Sequence, residues 1–270
     1  NGVPTIADFF NQKLAKKILQ KEGPAKAIIG NNVVAHIDDW DDLARGVGIL
    51  LDDKGAFIFE APYLIDMFEN LSYDTIYHEH LSYLSVTPLV KFFKRHKMDV
   101  FDVQTTKRFG ISIRVFVCRS GSHRVEPGVN KFLDGEKRAG FGKLKTYRAL
   151  AGRISASKNN LSTVLAGLKD NNFKIAAYGA PARGNTILSF CNIGADVIDV
   201  ATDELPSKIG FYTPGTHIPV RHIEEARKNP PDYYLMLAWN YKNEVFKKES
   251  EFIKRGGKFI VPIGDKIEII

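Results

Sequence analysis

The sequence predicts an α/β protein with two successive parallel sheets. Two observations carry this. Short apolar runs of strand length alternate with helical apolar spacing, and the alternation starts again near residue 174 after a long helical stretch. Composition agrees: 270 residues, 44% hydrophobic and 26% charged, describe a globular chain long enough for two ordinary domains. Domain limits are expected at 1–140 and 171–270, with a connecting helix over 141–170.

In chain order, Ile6, Phe9, Phe10, Leu14 and Ile18 fall at helical spacing over residues 5–21, and Gly23-Pro24 ends that helix. Residues 25–37 read as a buried strand running into a turn, with Asp38-Asp39 capping a helix over about 40–51. Gly55 then turns the chain into the strand Ala56–Glu60. This strand–helix–strand unit places His36, Glu60 and Tyr63 at strand C-terminal ends, where parallel sheets carry their active groups. Thr87-Pro88 opens a helix reaching about residue 97. Strands at 99–104 and 111–118 read as an antiparallel pair closing the sheet's edge, and residues 120–140 read as turn-rich. In the second half, strands are expected at 174–178, 197–202, 232–238 and 258–262. Helices follow Gly179 and cover 222–228 and 240–255.

The densest chemistry lies in residues 73–85. There His78, Glu79 and His80, two of the chain's seven histidines, sit between Tyr77 and Tyr83. Histidine titrates near neutral pH, and a carboxylate neighbour can orient the ring. Acid–base work, a His-x-His metal site and a buried hydrogen-bonded cluster all fit these residues.

Other function classes are weaker. The net charge of +7 invites nucleic acid, but the basic residues are scattered, and Lys91–Lys97 reads as the solvated face of a helix. A basic surface equally suits a phosphorylated small molecule. No apolar run approaches the ~20 residues of a bilayer span. The first apolar stretch, broken by Asp8, Asn11 and Lys13, does not read as a secretion signal. Cys118 and Cys191, without CxxC spacing, fit buried thiols in a reducing cytoplasm.

Five ordered motifs then stand together: residues 31–37 (Asn-Asn-Val-Val-Ala-His-Ile), 77–83 (Tyr-His-Glu-His-Leu-Ser-Tyr), 178–185 (Tyr-Gly-Ala-Pro-Ala-Arg-Gly-Asn), 214–219 (Pro-Gly-Thr-His-Ile-Pro) and 237–240 (Leu-Ala-Trp-Asn). Over nearly its whole length the chain resembles the S-adenosylmethionine-dependent C-methyltransferases of nucleotide-linked keto-deoxysugars. The resemblance implies a methyltransferase-type Rossmann sheet followed by a second Rossmann-like domain that helps bind the sugar nucleotide. It implies His80 as the base that removes a proton beside the ketone, with Tyr77, Glu79 and His36 completing the catalytic set. Asn32 and Glu60 are assigned to S-adenosylmethionine. Tyr63, His78, Tyr178, Arg183, Asn185, Asp203, Lys208, His217, Trp239 and Asn240 are assigned to the nucleotide-diphosphate sugar. No metal is expected at these residues, because the family's zinc is structural and lies in an N-terminal module. That module and the glycine-rich first strand–turn that holds S-adenosylmethionine have no counterpart here, since only 24 residues precede Ala25. The sheet is therefore expected to be truncated and the cofactor site incomplete. Phe109-Gly-Ile-Ser-Ile-Arg114 also departs from the family's His-Gly-Gly-Ser-Leu-Arg.

Bland alternatives stand beside these roles. His36 would otherwise serve the Asp38 turn, and Arg183 and Asn185 would cap the following helix. His217 and Trp239 would be packing residues, and Lys208 would be solvated surface. As whole-chain alternatives, an NAD-dependent sugar-nucleotide oxidoreductase lacks G-x-G-x-x-G, whereas a non-catalytic nucleotide-sugar-binding fragment needs only the second half. A monomer or weak homo-oligomer is expected.

Overall fold

The computed structural model describes residues 2–106 and 112–270. Phe109, Gly110 and Ile111, part of the divergent loop, lie outside the described residues. Contacts divide the chain into two compact units, Asn1–Asp66 with Glu79–Leu144, and Met67–His78 with Lys145–Ile270.

In the first unit, helix α1 (Gln12–Glu22) precedes strand β1 (Ala25–Asn31), helix α2 (Trp40–Leu50) and strand β2 (Leu51–Pro62). Helix α3 (Leu64–Asn70) leads from one unit to the other. Helix α4 (Val86–Arg95), strands β3 (Met98–Thr106) and β4 (Ser112–Arg119) and helix α5 (Pro127–Ala139) complete the first unit. The sheet order is β1-β2-β4-β3. β1 and β2 run parallel around the α2 crossover, and β4 lies antiparallel to both β2 and β3. The antiparallel pair at the sheet's edge is as the sequence predicts. Phe57, Phe59 and Phe93 stack with ring centroids 5.2–6.3 Å apart among Val47, Val100 and Val115 in the core.

Three expectations change here. Helix α1 begins at Gln12 and not at residue 5, because the Asn11 side chain accepts from the Leu14 amide and caps it there. Ile6 and Phe9 consequently stay exposed. β1 is not buried: it is an edge strand with one face covered, so Ala27 and Ile29 point outward, and Ile29 is 66% exposed. The segment expected to be turn-rich contains α5, started by Pro127 at its first turn and ended by left-handed Gly140 (φ 77°).

The predicted turn at Gly55 is a bulge inside one long strand, since the pairing jumps from Ala25↔Leu51 to Ala27↔Ala56. A β-carbon on Gly55 would stand 2.8 Å from the Ala25 carbonyl oxygen. Gly55→Ala should therefore destabilise the protein by about 1–3 kcal/mol, read by denaturant unfolding. A loss under half of that range would show that the bulge relaxes freely.

The second unit opens with helix α6 (Leu144–Asp170), then β5 (Ile175–Tyr178), α7 (Ala182–Cys191), β6 (Ala201–Asp203), β7 (Val220–His222), α8 (Ile223–Lys228) and β8 (Tyr233–Met236). Helices α9 (Lys242–Lys248) and α10 (Ser250–Lys254) and strands β9 (Lys258–Val261) and β10 (Glu268–Ile269) follow. The sheet order is β10-β9-β8-β5-β6-β7, parallel except for β10. β6 lies on one side of β5 and β8 on the other, so the winding reverses beside β5, as in doubly wound folds. β7 and β10 were not expected. The single helix predicted over 240–255 is two helices, broken at Glu249, whose buried carboxylate is drawn to Arg227 and Tyr178.

Candidate active site

At the C-terminal ends of β1 and β2, Asn31 lies opposite Glu60 and the Asn32 amide donates to the Glu60 carbonyl at 2.8 Å. Asn32 is left-handed (φ 52°), and the chain then makes a 3-10 turn over Val34–His36. Residues 79–84 are stitched onto this edge. The Leu81 and Ser82 amides both donate to the Ala35 carbonyl, and the Leu64 amide donates to the Leu84 carbonyl at 2.9 Å.

This stitching brings two predicted residues together, with the His36 and His80 ring centroids 5.1 Å apart. His80 also meets Tyr83 edge-on at 6.4 Å. His36 Nδ1 lies 2.6 Å from the Glu79 carbonyl oxygen. A carbonyl only accepts, so Nδ1 carries the proton and the neutral ring keeps its lone pair on Nε2. Glu79 thus acts on His36 through its backbone, by virtue of the turn at His78–Glu79. Among the described residues, no three His, Cys, Asp or Glu side chains gather as metal ligands.

Other predicted residues of this unit have structural partners. The buried Glu60 carboxylate accepts from Arg114 Nη2 and Thr106 Oγ1, both at 3.0 Å, with Arg114 directly opposite on β4. The buried Tyr63 hydroxyl donates to Glu136 of α5 at 3.1 Å. Glu136 in turn accepts from the Val86 and Thr87 amides, which start α4.

In the second unit, Tyr77 and His78 end a segment anchored by Asp74, which is fully buried. Arg183 grips the Asp74 carboxylate through Nε at 2.8 Å and Nη2 at 3.0 Å. Trp239 Nε1 donates to the same carboxylate at 2.8 Å, and the guanidinium lies 5.2 Å from the Trp239 ring centroid. Two of the five sequence motifs therefore converge on one buried ion pair. Asp74 escaped the sequence reading, although it lies inside the stretch singled out.

At the end of β5, Gly179 adopts φ 84°, and the Ala180 amide donates to Asp203 at 3.0 Å. Asp203 also accepts from the Glu204 and Leu205 amides and from Lys208 Nζ, which donates to the Ala180 carbonyl as well. Burial pushes the Asp203 carboxyl up, but the Leu205 amide, Lys208 and the Ala180 amide together hold it below the usual carboxylate range. The unfolded value is near 3.9, so this stabilisation is complete above it and is lost as pH falls through the lower, folded value. Urea unfolding between about pH 5 and 2.5 should show a shallower acid loss in Asp203→Asn than in the parent. Equal slopes would assign the acid loss to other carboxylates.

Tyr178 is buried, and its hydroxyl donates to Glu249 at 2.9 Å; burial first, and then that carboxylate, push its pKa well up. Asn185 and Asn240 are half-buried, and His217 is exposed in a left-handed turn (φ 53°). Among the described residues, no hydrogen bond or ion pair joins these three to Asp203. No helix among the described residues is long and apolar enough to cross a membrane.

Comparison with known proteins identifies the chain's family. Residues 108–264, more than half of the chain, match the C-methyltransferase C-terminal domain family. C-methyltransferase NovU of Streptomyces niveus is 37% identical over 263 residues, which cover 97% of this chain and 63% of that protein. The chain thus spans less than two thirds of that relative's length. On this family match and this relative, the chain belongs to the C-methyltransferase family.

Proposed function

We propose that the protein transfers a methyl group from S-adenosylmethionine to a carbon beside the ketone of a nucleotide-linked deoxysugar. In this reading the first unit is part of the methyl-transfer domain, and the second is the Rossmann-like domain that binds the sugar nucleotide. The observation that carries the reading is the His36–His80 pair at the C-terminal strand ends, with His36 Nδ1 held by the Glu79 carbonyl.

A carbon next to a ketone is acidic enough for a positioned base to take its proton. His80 is that base. His36, with its Nε2 lone pair set by the Glu79 carbonyl, sits beside it to accept a hydrogen bond or relay the proton. S-adenosylmethionine supplies an electrophilic methyl group when bound. Of the two residues assigned to it, the exposed Asn32 at the end of β1 fits a polar contact. The Glu60 carboxylate, already held by Arg114 and Thr106, fixes the strand ends instead. These strand ends form the wall toward which both reactants are oriented.

The test is the product. With a keto-deoxysugar nucleotide and methyl-labelled S-adenosylmethionine, the label should appear on a carbon adjacent to the ketone, read by two-dimensional NMR. Label on oxygen or nitrogen, or none from a chain that calorimetry shows to bind S-adenosylmethionine, sinks the proposal.

A further inference from the structure

A cleft of about 540 Å³ opens in the second unit between the α8–β8 and α10–β9 connections. Those connections meet the sheet at the N-terminal ends of β8 and β9, which run parallel. The cleft therefore lies at the opposite end of the strands from the C-terminal edge, where doubly wound sheets take their nucleotides. Its size falls within the ~300–1,000 Å³ of small-ligand sites.

Tyr234 forms the floor. It is 2% exposed, and its ring is held by Phe252 and Phe259, with centroids 4.9 and 5.5 Å away. Its hydroxyl makes no hydrogen bond among the described residues. Buried phenols ordinarily find a partner. The side-chain polar atoms sealed off without one belong to Trp40, Arg119, Ser122 and Ser157, and Tyr234 is not among them. The open bonding position of its hydroxyl therefore faces the cleft. Burial first, and then the Glu249 carboxylate, push its pKa up to about 12, so at neutral pH it carries its proton and can donate.

Most charges on the wall are already paired. Glu249 is bonded to Arg227, Glu251 to Lys254, and Asp232 accepts from the Lys174 amide. Lys248 is paired with Glu204. The exposed Arg255 guanidinium has no ion pair or hydrogen bond among the described residues. Three carboxylates against three cations leave the wall neutral, which disfavours a phosphate dianion, whereas one carboxylate matches one free guanidinium fork.

The rest of the lining is apolar. Pro230 and Pro231 come from the α8–β8 connection and Phe252 from α10. Phe252 packs so closely on Gly257 that a β-carbon there would stand 2.2 Å from its ring, which fixes the ring as a wall. Tyr234 is buried and Arg255 exposed, so the two groups suit opposite ends of a ligand.

We propose that this cleft binds a small organic acid, with its carboxylate on Arg255, its apolar body on Phe252 and the two prolines, and an acceptor oxygen at its far end on the Tyr234 hydroxyl. The site belongs to the second unit and requires nothing of His80 or of S-adenosylmethionine. It goes beyond the methyl-transfer reading and stands or falls apart from it.

Saturation-transfer difference NMR on the whole chain tests it, with levulinate and para-acetylbenzoate, two keto acids, as probes. Saturation should reach at least one of them, with a millimolar or tighter dissociation constant, and its uncharged amide should bind about tenfold more weakly or worse. Inorganic phosphate at about 10 mM should not displace the acid. Tyr234→Phe should weaken binding by about threefold to tenfold without lowering the thermal midpoint, since the hydroxyl has no partner to lose. Arg255→Met, on an exposed side chain, should weaken it by about tenfold or more, again at the parental midpoint. Silence from both acids overturns the proposal. So does an amide that binds as well as its acid, displacement by phosphate, or binding that either variant leaves intact. A lowered midpoint in Tyr234→Phe would give the hydroxyl a structural partner and overturn it too.

Discussion

In an enzyme whose S-adenosylmethionine-binding part is complete, His80→Asn should lower the turnover number by about 10²–10⁴-fold, the usual contribution of a positioned general base. Asparagine keeps roughly the size and polarity of the ring but cannot take a proton at neutral pH. Affinity for the sugar nucleotide should stay close to the parent's, because the lost group acts on the reacting carbon in the transition state. The sharper readout is solvent deuterium entering the substrate carbon with the methyl donor absent. In His80→Asn that exchange should stop. Among the described residues, His36 is the rival that the geometry supports, since the Glu79 carbonyl already fixes its lone pair on Nε2. Exchange that continues at the parental rate in His80→Asn and stops in His36→Asn would make His36 the base and His80 its neighbour.

Arg183→Met should cost about 3–5 kcal/mol of stability, since it strands the Asp74 carboxylate, which is fully buried, without its cation. Arg183→Lys should recover only part of this, because an ammonium cannot reproduce the two-pronged grip. Asp74→Leu combined with Arg183→Met removes both charges and should lose less than Arg183→Met alone. Urea unfolding of the three variants separates these outcomes. A contact to substrate phosphate, the role that the sequence suggests for Arg183, predicts another result: parental stability with weakened nucleotide affinity. That outcome would return Arg183 to the substrate.

The contrast between these two sites shows what a sequence displays. His36 and His80 could be paired in advance because each belongs to a recognisable run and the family resemblance assigns both to one catalytic set, whereas the strand–helix–strand unit by itself places only His36 at a strand end. Asp74, Arg183 and Trp239 could not, since their bonds join positions 109 and 165 residues apart. Nothing in local periodicity encodes such a meeting. Secondary structure failed for local reasons. Gly128 and Gly135 inside α5 mask a helix whose Pro127 start and Gly140 stop were both visible. β7 and β10 have three and two residues, too few to show alternation. Glu249 lies in a run of good helix formers, and the pull of Arg227 and Tyr178 that breaks the helix comes from residues distant in sequence.

Glu136 ties together the end of β2, the start of α4 and the last turn of α5 through Tyr63 and the amides of Val86 and Thr87. Those two amides have no intrahelical acceptor, so their protection against hydrogen exchange depends on a carboxylate carried by another helix. When α5 opens, the first turn of α4 loses its acceptor at the same instant. Val86 and Thr87 should therefore exchange at the rate of α5 and more slowly than an ordinary frayed helix start, which makes the two helices one cooperative opening unit.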